Sequence, residues 1–322
     1  MFHPRRPHRP FSRTPRRETP PAHAAPARST NDAAASKPRR TWHTKPQLRT
    51  PTLVAAFSGW NDAGEAASLA VQQMVGTWQA THVATVDAED FFEFQTVRPH
   101  VRLVDGLTRE IVWPPNELYA ASTPGGDVLL LSGTEPQLRW RTFCSLITDI
   151  ATEYEVKMVV TLGALLADVP HSRPVNIIGT ATDQRLIERF DLQRSRYEGP
   201  TGIVGVLQDA CSTAGLSAVS LWAAVPTYAP STPSPKAALG LLRRTIDLIG
   251  APADTRRLED ASSAYEHEVA SNVADDDDLS GFVRQLEDAY DASDDEDEPE
   301  TVTPNPERLV EEVERFLRDQ GN

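Results

Sequence analysis

The stretch Leu53-Val54-Ala55-Ala56-Phe57-Ser58-Gly59-Trp60-Asn61-Asp62-Ala63-Gly64-Glu65 constrains the fold more than any other part of the chain. The uncharged run 53–57 reads as a strand buried on both faces, and Gly59-Trp60 reads as a turn. A helix start follows, because Ala63, Ala67, Ala70, Met74 and Trp78 recur on one helical face. A strand that is apolar on both faces needs cover from two layers. One strand–turn–helix unit of this kind already points to an open sheet sandwiched between helices.

The same unit recurs. Apolar, partly β-branched runs stand at 53–57, 83–87, 128–132, 157–162 and 218–225, with helical periods between most of them. On 136–152 the apolar face carries Leu138, Phe143, Ile147 and Ile150. On 201–214 it carries Ile203, Leu207, Ala210 and Ala214, and on 235–249 it carries Ala238, Leu241, Leu242 and Ile249. This alternation predicts an α/β domain over 51–250, a three-layer α/β/α arrangement around a mainly parallel sheet. Between Phe91 and Ser122 the rhythm breaks into short segments, Val101-Arg102-Leu103, Glu110-Ile111-Val112-Trp113 and Glu117-Leu118-Tyr119-Ala120. Asp105-Gly106 and Pro114-Pro115 separate them, and they read as a small antiparallel insertion at the sheet edge. A further strand is expected over 176–180, with a brief helix after Asp183.

Both ends of the chain differ from its middle. Residues 1–50 hold twelve Lys and Arg against two acids, and nine of the 26 prolines, without an apolar period. They read as a disordered basic arm, or as a segment added by a misplaced start codon. Residues 251–290 carry narrow helical stripes, Leu258/Ala261/Tyr265/Val269 and Leu279/Phe282/Val283/Leu286, and form a helical appendage. An acidic linker is expected over 291–303 and a terminal helix over 304–322, with Leu309, Val313, Phe316 and Leu317 on one face. Thirteen acids against Arg284 alone over 275–300 account for much of the net charge of −14. Arg5-Arg6 and Arg16-Arg17 are followed by no apolar stretch, and no run reaches membrane-spanning length, so a cytoplasmic location is expected with no membrane partner. Cys144 and Cys211 fall on apolar helix faces as small hydrophobes, which fits a reducing compartment. The basic arm lacks stacking aromatics and an adjoining binding fold, so nucleic acid is not an expected partner.

The chemistry in the sequence is sparse. Asp62 and Glu65 stand three apart at a helix start, which fits a capping box and equally a site for a cation or a hydroxyl-bearing ligand. Gly199-Pro200-Thr201-Gly202-Ile203 opens a helix with no acid before Asp209. Thr201 is placed to cap it, or the free N–H groups near Gly202 to meet an anion. The polar loop 165–174 leaves a strand carrying Asp168, His171 and Arg173, and Glu135 follows the strand at 128–132. Ligands of open α/β sheets gather at strand carboxyl ends. The candidate cleft therefore comprises Asn61, Asp62, Glu135, His171, Arg173, Thr201 and Gly202, with His171 suited to acid–base work or to a purely structural role. Walker-type and dinucleotide-type glycine loops, the G-x-S-x-G elbow and zinc spacings are missing, so no catalytic residue, cofactor or metal is assigned.

Five motifs in order carry a family resemblance: Gly59-Trp60-Asn61-Asp62-Ala63-Gly64; Glu135-Pro136; the run 162–174 from Leu162 to Pro174; Gly199-Pro200-Thr201-Gly202-Ile203; and Ser220-Leu221-Trp222-Ala223-Ala224-Val225-Pro226. Together they resemble the PAC2 (proteasome assembly chaperone 2) family in its bacterial, actinobacterial-type form, over roughly residues 51–320. The resemblance implies a phosphorylase/hydrolase-like α/β/α domain with a helical C-terminal appendage. It also implies a homo-oligomer, with a trimer among its forms, and protein partners such as proteasome subunits. Related chaperones often dock through a C-terminal hydrophobic-Tyr-X tail, whereas this sequence reads Arg318-Asp319-Gln320-Gly321-Asn322 there. Two functions of different class follow: a non-enzymatic assembly or binding factor, and a small-ligand binder or enzyme for nucleoside- or peptide-type substrates at the strand-end cleft.

Overall fold

The computed structural model describes residues 40–294, side chains included up to 292. The expected terminal helix, and the parts of the basic arm and acidic linker beyond these bounds, lie outside the described residues.

An eight-stranded sheet forms the centre, in the order β1-β3-β6-β7-β2-β8-β10-β9. Its strands are β1 (Arg40–Trp42), β2 (Thr52–Ser58), β3 (Thr81–Val86), β6 (Asn116–Thr123), β7 (Gly126–Thr134), β8 (Met158–Ala167), β9 (Ile177–Ala181) and β10 (Ala218–Pro226). The middle of the sheet, β7-β2-β8-β10, is parallel. The flanking pairs β1·β3, β3·β6, β6·β7 and β10·β9 are antiparallel, so five of the eight strands run in one direction. This is the α/β class that the alternation predicts. A separate ribbon pairs β4 (His100–Val104) with β5 (Thr108–Val112).

β2 shows why both faces need cover. Val54 and Ala56 turn to one apolar layer, which contains α1 (Ala66–Thr77) and α5 (Pro235–Ile249). Leu53, Ala55 and Phe57 turn to the other, which contains α2 (Trp140–Glu153) and α4 (Ile203–Thr213). The period of two along the strand meets the helical period of the covering layers, and all five side chains are buried. α5 begins where the sequence favours it: Ser234 accepts the Ala237 N–H at 3.3 Å, and Pro235 occupies the first turn. α3 (Gln184–Phe190) follows β9 and starts on Asp183, whose carboxylate accepts the Arg185 N–H at 2.9 Å.

Beyond the sheet, α6 (Arg256–Ala274) packs on α5 and contributes Leu258 to the α1/α5 layer. Its buried stripe is Leu258, Ser262, Tyr265, Val269 and Val273, with Ser262 in the place of the expected Ala261. α7 (Asp277–Asp294) joins it through Val283, in a small cluster with Tyr265, Val269, Val273 and Ala229. The helix runs to Asp294, into the stretch read above as linker.

Two expectations need correction. The third segment of the insertion is no part of an edge feature: β6 enters the main sheet between β3 and β7. Asn116, Leu118, Ala120 and Ala121 are buried there, which the short length of the segment concealed. Leu138 is exposed and precedes α2, because the chain after Glu135 first passes through Pro136 and reaches helical geometry only beyond Arg139, at left-handed φ.

Phe143 carries the α2 side of this architecture. It is fully buried and meets Phe57 and Phe91 edge-on, with ring centroids 5.8 and 5.3 Å away. Phe143→Ala is expected to cost roughly 3–5 kcal/mol of stability. Thermal melts of the full chain should show a fall of about 10 °C; an unchanged midpoint would refute this account of the core.

Candidate functional site

β2 and β7 lie side by side and parallel, yet their continuations leave toward opposite layers, β2 into α1 and β7 into α2. The carboxyl ends of two such strands open a crevice, the usual ligand position in open α/β sheets. Asn61 and Asp62 follow β2 here, and Glu135 follows β7, its N–H donating to Ser58 O at 2.9 Å. The start of α4 reaches this strand end from the α2/α4 side, through the bond from the Ile203 N–H to Glu135.

These groups bind one another. Glu135 Oε1 accepts the Asn61 side-chain amide at 3.0 Å and the Ile203 N–H at 2.8 Å, and the carboxylate also accepts the Trp60 N–H. Glu135 therefore caps α4. Thr201 does not, contrary to the expectation: it is exposed, and Gly202 is the capping residue without a side chain to offer. Gly202 is needed for this approach, because a Cβ there would run into Asn61 Nδ2 and lie 2.7 Å from Glu135 Oε1. Burial pushes the Glu135 carboxyl up, against the three hydrogen bonds that favour its ionised form. Asn61 is buried and its carbonyl accepts the Ala164 N–H at 2.8 Å, which ties the turn to β8.

Asp62 is a cap, but not in the predicted box. Its carboxylate accepts the N–H groups of Ala67 at 2.7 Å and Ser68 at 3.3 Å, and the Ser68 hydroxyl at 2.5 Å. The chain turns through Gly64 and Glu65 at left-handed φ before α1 begins, so Glu65 makes no capping bond and faces solvent. Burial is the main cause that pushes the Asp62 carboxyl up to about 6.

His171 and Arg173 are held elsewhere by a different set of partners. His171 is buried; its N–H donates to the Tyr228 hydroxyl at 2.7 Å, and its Nδ1 lies 2.9 Å from the same oxygen. Lys236 Nζ donates to the His171 carbonyl at 2.5 Å and pairs with Glu266. Burial first and Lys236 second hold the imidazole below its ordinary pKa, so the neutral ring accepting the tyrosine proton is the favoured form. Arg173 grips Asp291 through Nε and Nη2, both at 2.7 Å, and lies 3.7 Å from Glu287, which also accepts the Ser172 hydroxyl. Tyr228 meets Phe282 edge-on at 6.4 Å. The loop after β8 is thus a clamp on α7.

The structure therefore brings Asn61, Glu135 and Gly202 together, sets Asp62 beside them on the helix α1 side, and places His171 and Arg173 in the clamp. Sequence reasoning missed Ser68, Tyr228, Lys236, Glu287 and Asp291. A signal existed for the last two, which stand four apart on one helix face opposite an arginine.

The sequence pattern of the PAC2 family matches residues 56–273. This chain belongs to the PAC2 family. A PAC2 family protein from Streptomyces avermitilis is 46% identical and superposes with a TM-score of 0.69, over 72% of this chain and 99% of that one. A Mycobacterium tuberculosis proteasome-assembly chaperone homologue is 45% identical with a TM-score of 0.66 and the same coverage of both chains. A second M. tuberculosis protein, of unknown function, is 26% identical with a TM-score of 0.72, over 82% of this chain and 92% of that one. No curated protein matches. The crevice residues all fall inside the family span, whereas Glu287 and Asp291 lie past its end at residue 273.

Two outcomes are expected from this geometry. Because the Asp62 carboxyl is raised in the folded state, its contribution to stability is present below the unfolded value of 3.8 and lost as pH rises through about 6. Asp62→Asn keeps an accepting oxygen for the cap. Relative to the native chain it should gain about 2–3 kcal/mol between pH 4 and 6.5, read from denaturant unfolding at both pH values; parallel pH profiles would refute the assignment. For the clamp, Arg173→Ala should speed amide exchange along α7 while α5 stays protected. Equal protection of α7 in both chains would show that Arg173 does not hold it.

Proposed function

We propose that this PAC2-family chain is a non-enzymatic assembly factor that works as a cytoplasmic homo-oligomer on protein partners, with proteasome subunits as the partner class. The observation that carries the reading is the state of the crevice. Where open α/β sheets receive a ligand, Glu135 already occupies the helix start, and Asn61 and Gly202 are packed against it. A phosphate or carboxylate entering there would meet a resident carboxylate and displace its hydrogen bonds. His171, the histidine within the family motifs, is buried against Tyr228. The partner class is supported by the 45% identical mycobacterial protein, named a proteasome-assembly chaperone homologue.

The test uses the full chain with purified proteasome α and β subunits of the same organism, followed by native mass spectrometry. A complex between this chain and partly assembled subunits, with faster appearance of the finished particle, is the expected result. Unchanged assembly kinetics and no complex would overturn it. A rise in melting temperature with nucleosides or peptides would shift the reading to a ligand binder with an adaptable crevice.

A further inference from the structure

The β4–β5 ribbon is unlike the rest of the molecule. Every residue of both strands is exposed, although half of them are apolar. Val101 and Leu103 of β4 share a face with Ile111 of β5, and they are 62%, 57% and 55% exposed; Leu107 at the tip is 87% exposed. Trp113 continues the same alternation below Ile111, half exposed and tilted against Phe94 with ring centroids 4.8 Å apart. The turn is well built: Leu107 N–H donates to Val104 O at 3.1 Å, and Asp105 and Gly106 both take the left-handed φ that a tight hairpin of right-handed twist demands. A two-stranded ribbon without cover is marginal in water, and both of its outer edges present unpaired backbone groups. A well-specified hairpin with an apolar face and open edges is built to be completed by another strand.

We infer that this hairpin is the arm through which copies of the chain join, with β4 of one copy adding edge to edge to β5 of the next. The inference rests on the reading of the protein as an oligomeric assembly factor and names the surface that makes the oligomer. Charge selects a second copy and the order of joining. Within one hairpin Arg102 lies opposite Glu110, at 2.6 Å. Pairing β4 with the next copy's β5 in the same register repeats this match, and repeats Val101 opposite Ile111 and Leu103 opposite Arg109. Centred β4-to-β4 pairing would set Arg102 on Arg102, and β5-to-β5 pairing Glu110 on Glu110, both unfavourable across a ladder. The ribbon is thus complementary to itself only head to tail. Head-to-tail contacts close into a ring where the rotation between successive copies closes.

Two measurements on the full chain test this. Single variants Val101→Cys and Ile111→Cys are oxidised mildly, alone and mixed, and run on non-reducing gels; native Cys144 and Cys211 are buried and stay silent. Covalent dimer in the mixture alone is the expected result. Cross-linking of either variant by itself, or none in the mixture, overturns the head-to-tail order. Light scattering then compares the native chain with Leu103→Glu/Ile111→Glu, which should fall to a single chain's mass at an unchanged melting temperature. If both remain oligomers, the arm inference fails while the assembly-factor reading stands on its subunit-binding test. If both are single chains, and the variant alone has lost proteasome-subunit binding, the arm takes a different protein and the self-joining inference fails.

Discussion

One carboxylate ties the sheet to its covering helices. Glu135 sits where β7 ends and accepts hydrogen bonds from the turn after β2 and from the first N–H of α4. Three segments far apart in sequence converge on a single oxygen-bearing group. A helix start carries partial positive charge and unsatisfied N–H groups, which in nucleotide-binding folds are met by a phosphate. Here the chain supplies its own anion, and the missing Cβ of Gly202 allows it to come close. At that position a hydrogen-bonded carboxylate holds three segments of the fold together.

That substitution explains the division among the candidate residues. Asn61 and Glu135 serve each other, Asp62 serves α1, and His171 and Arg173 serve α7. Each polar group was recognisable as polar and placed near a strand end, and that much is legible because strand ends follow from the apolar runs. Which partner each would choose is not legible. Asn61 and Glu135 are 74 residues apart, and no local spacing announces a bond over that distance. Thr201 illustrates the limit from the other side: it has the right chemistry two residues before the helix, yet a longer-range carboxylate satisfies the N–H group of Ile203.

The layered core was readable for a simpler reason. Leu53, Ala55 and Phe57 alternate with Val54 and Ala56, and a strand apolar at every position has to be covered twice. β6 escaped this logic because Asn116-Glu117 and Tyr119 interrupt its apolar residues. Asn116 is buried nonetheless, its side-chain amide donating to Thr134 O at 3.1 Å on the neighbouring strand. A buried asparagine that bonds to the next strand looks in sequence like a turn residue, and the segment therefore reads as part of the insertion that precedes it. The β4–β5 ribbon carries the alternation of a half-buried hairpin without the burial, and its pattern is therefore a statement about a surface still to be covered.

α7 sits at the opposite extreme from the core. Its apolar hold is the small cluster of Val283 with Tyr265, Val269 and Val273, together with the edge contact of Phe282 on Tyr228. Its ionic hold is the fork of Arg173 on Asp291 and the reach toward Glu287, both partly exposed and so weakened by salt. Elements with few buried apolar contacts open before the global fold does. The acids that crowd 275–300 repel one another, and the cation of Arg173 offsets that repulsion at Glu287 and Asp291, while Lys236 pairs with Glu266 on α6. The clamp therefore sets the register of a weakly held helix on a strongly held body. It does so through Tyr228, whose hydroxyl accepts from the His171 backbone while its ring meets Phe282, so that the polar and apolar parts of the contact share one residue.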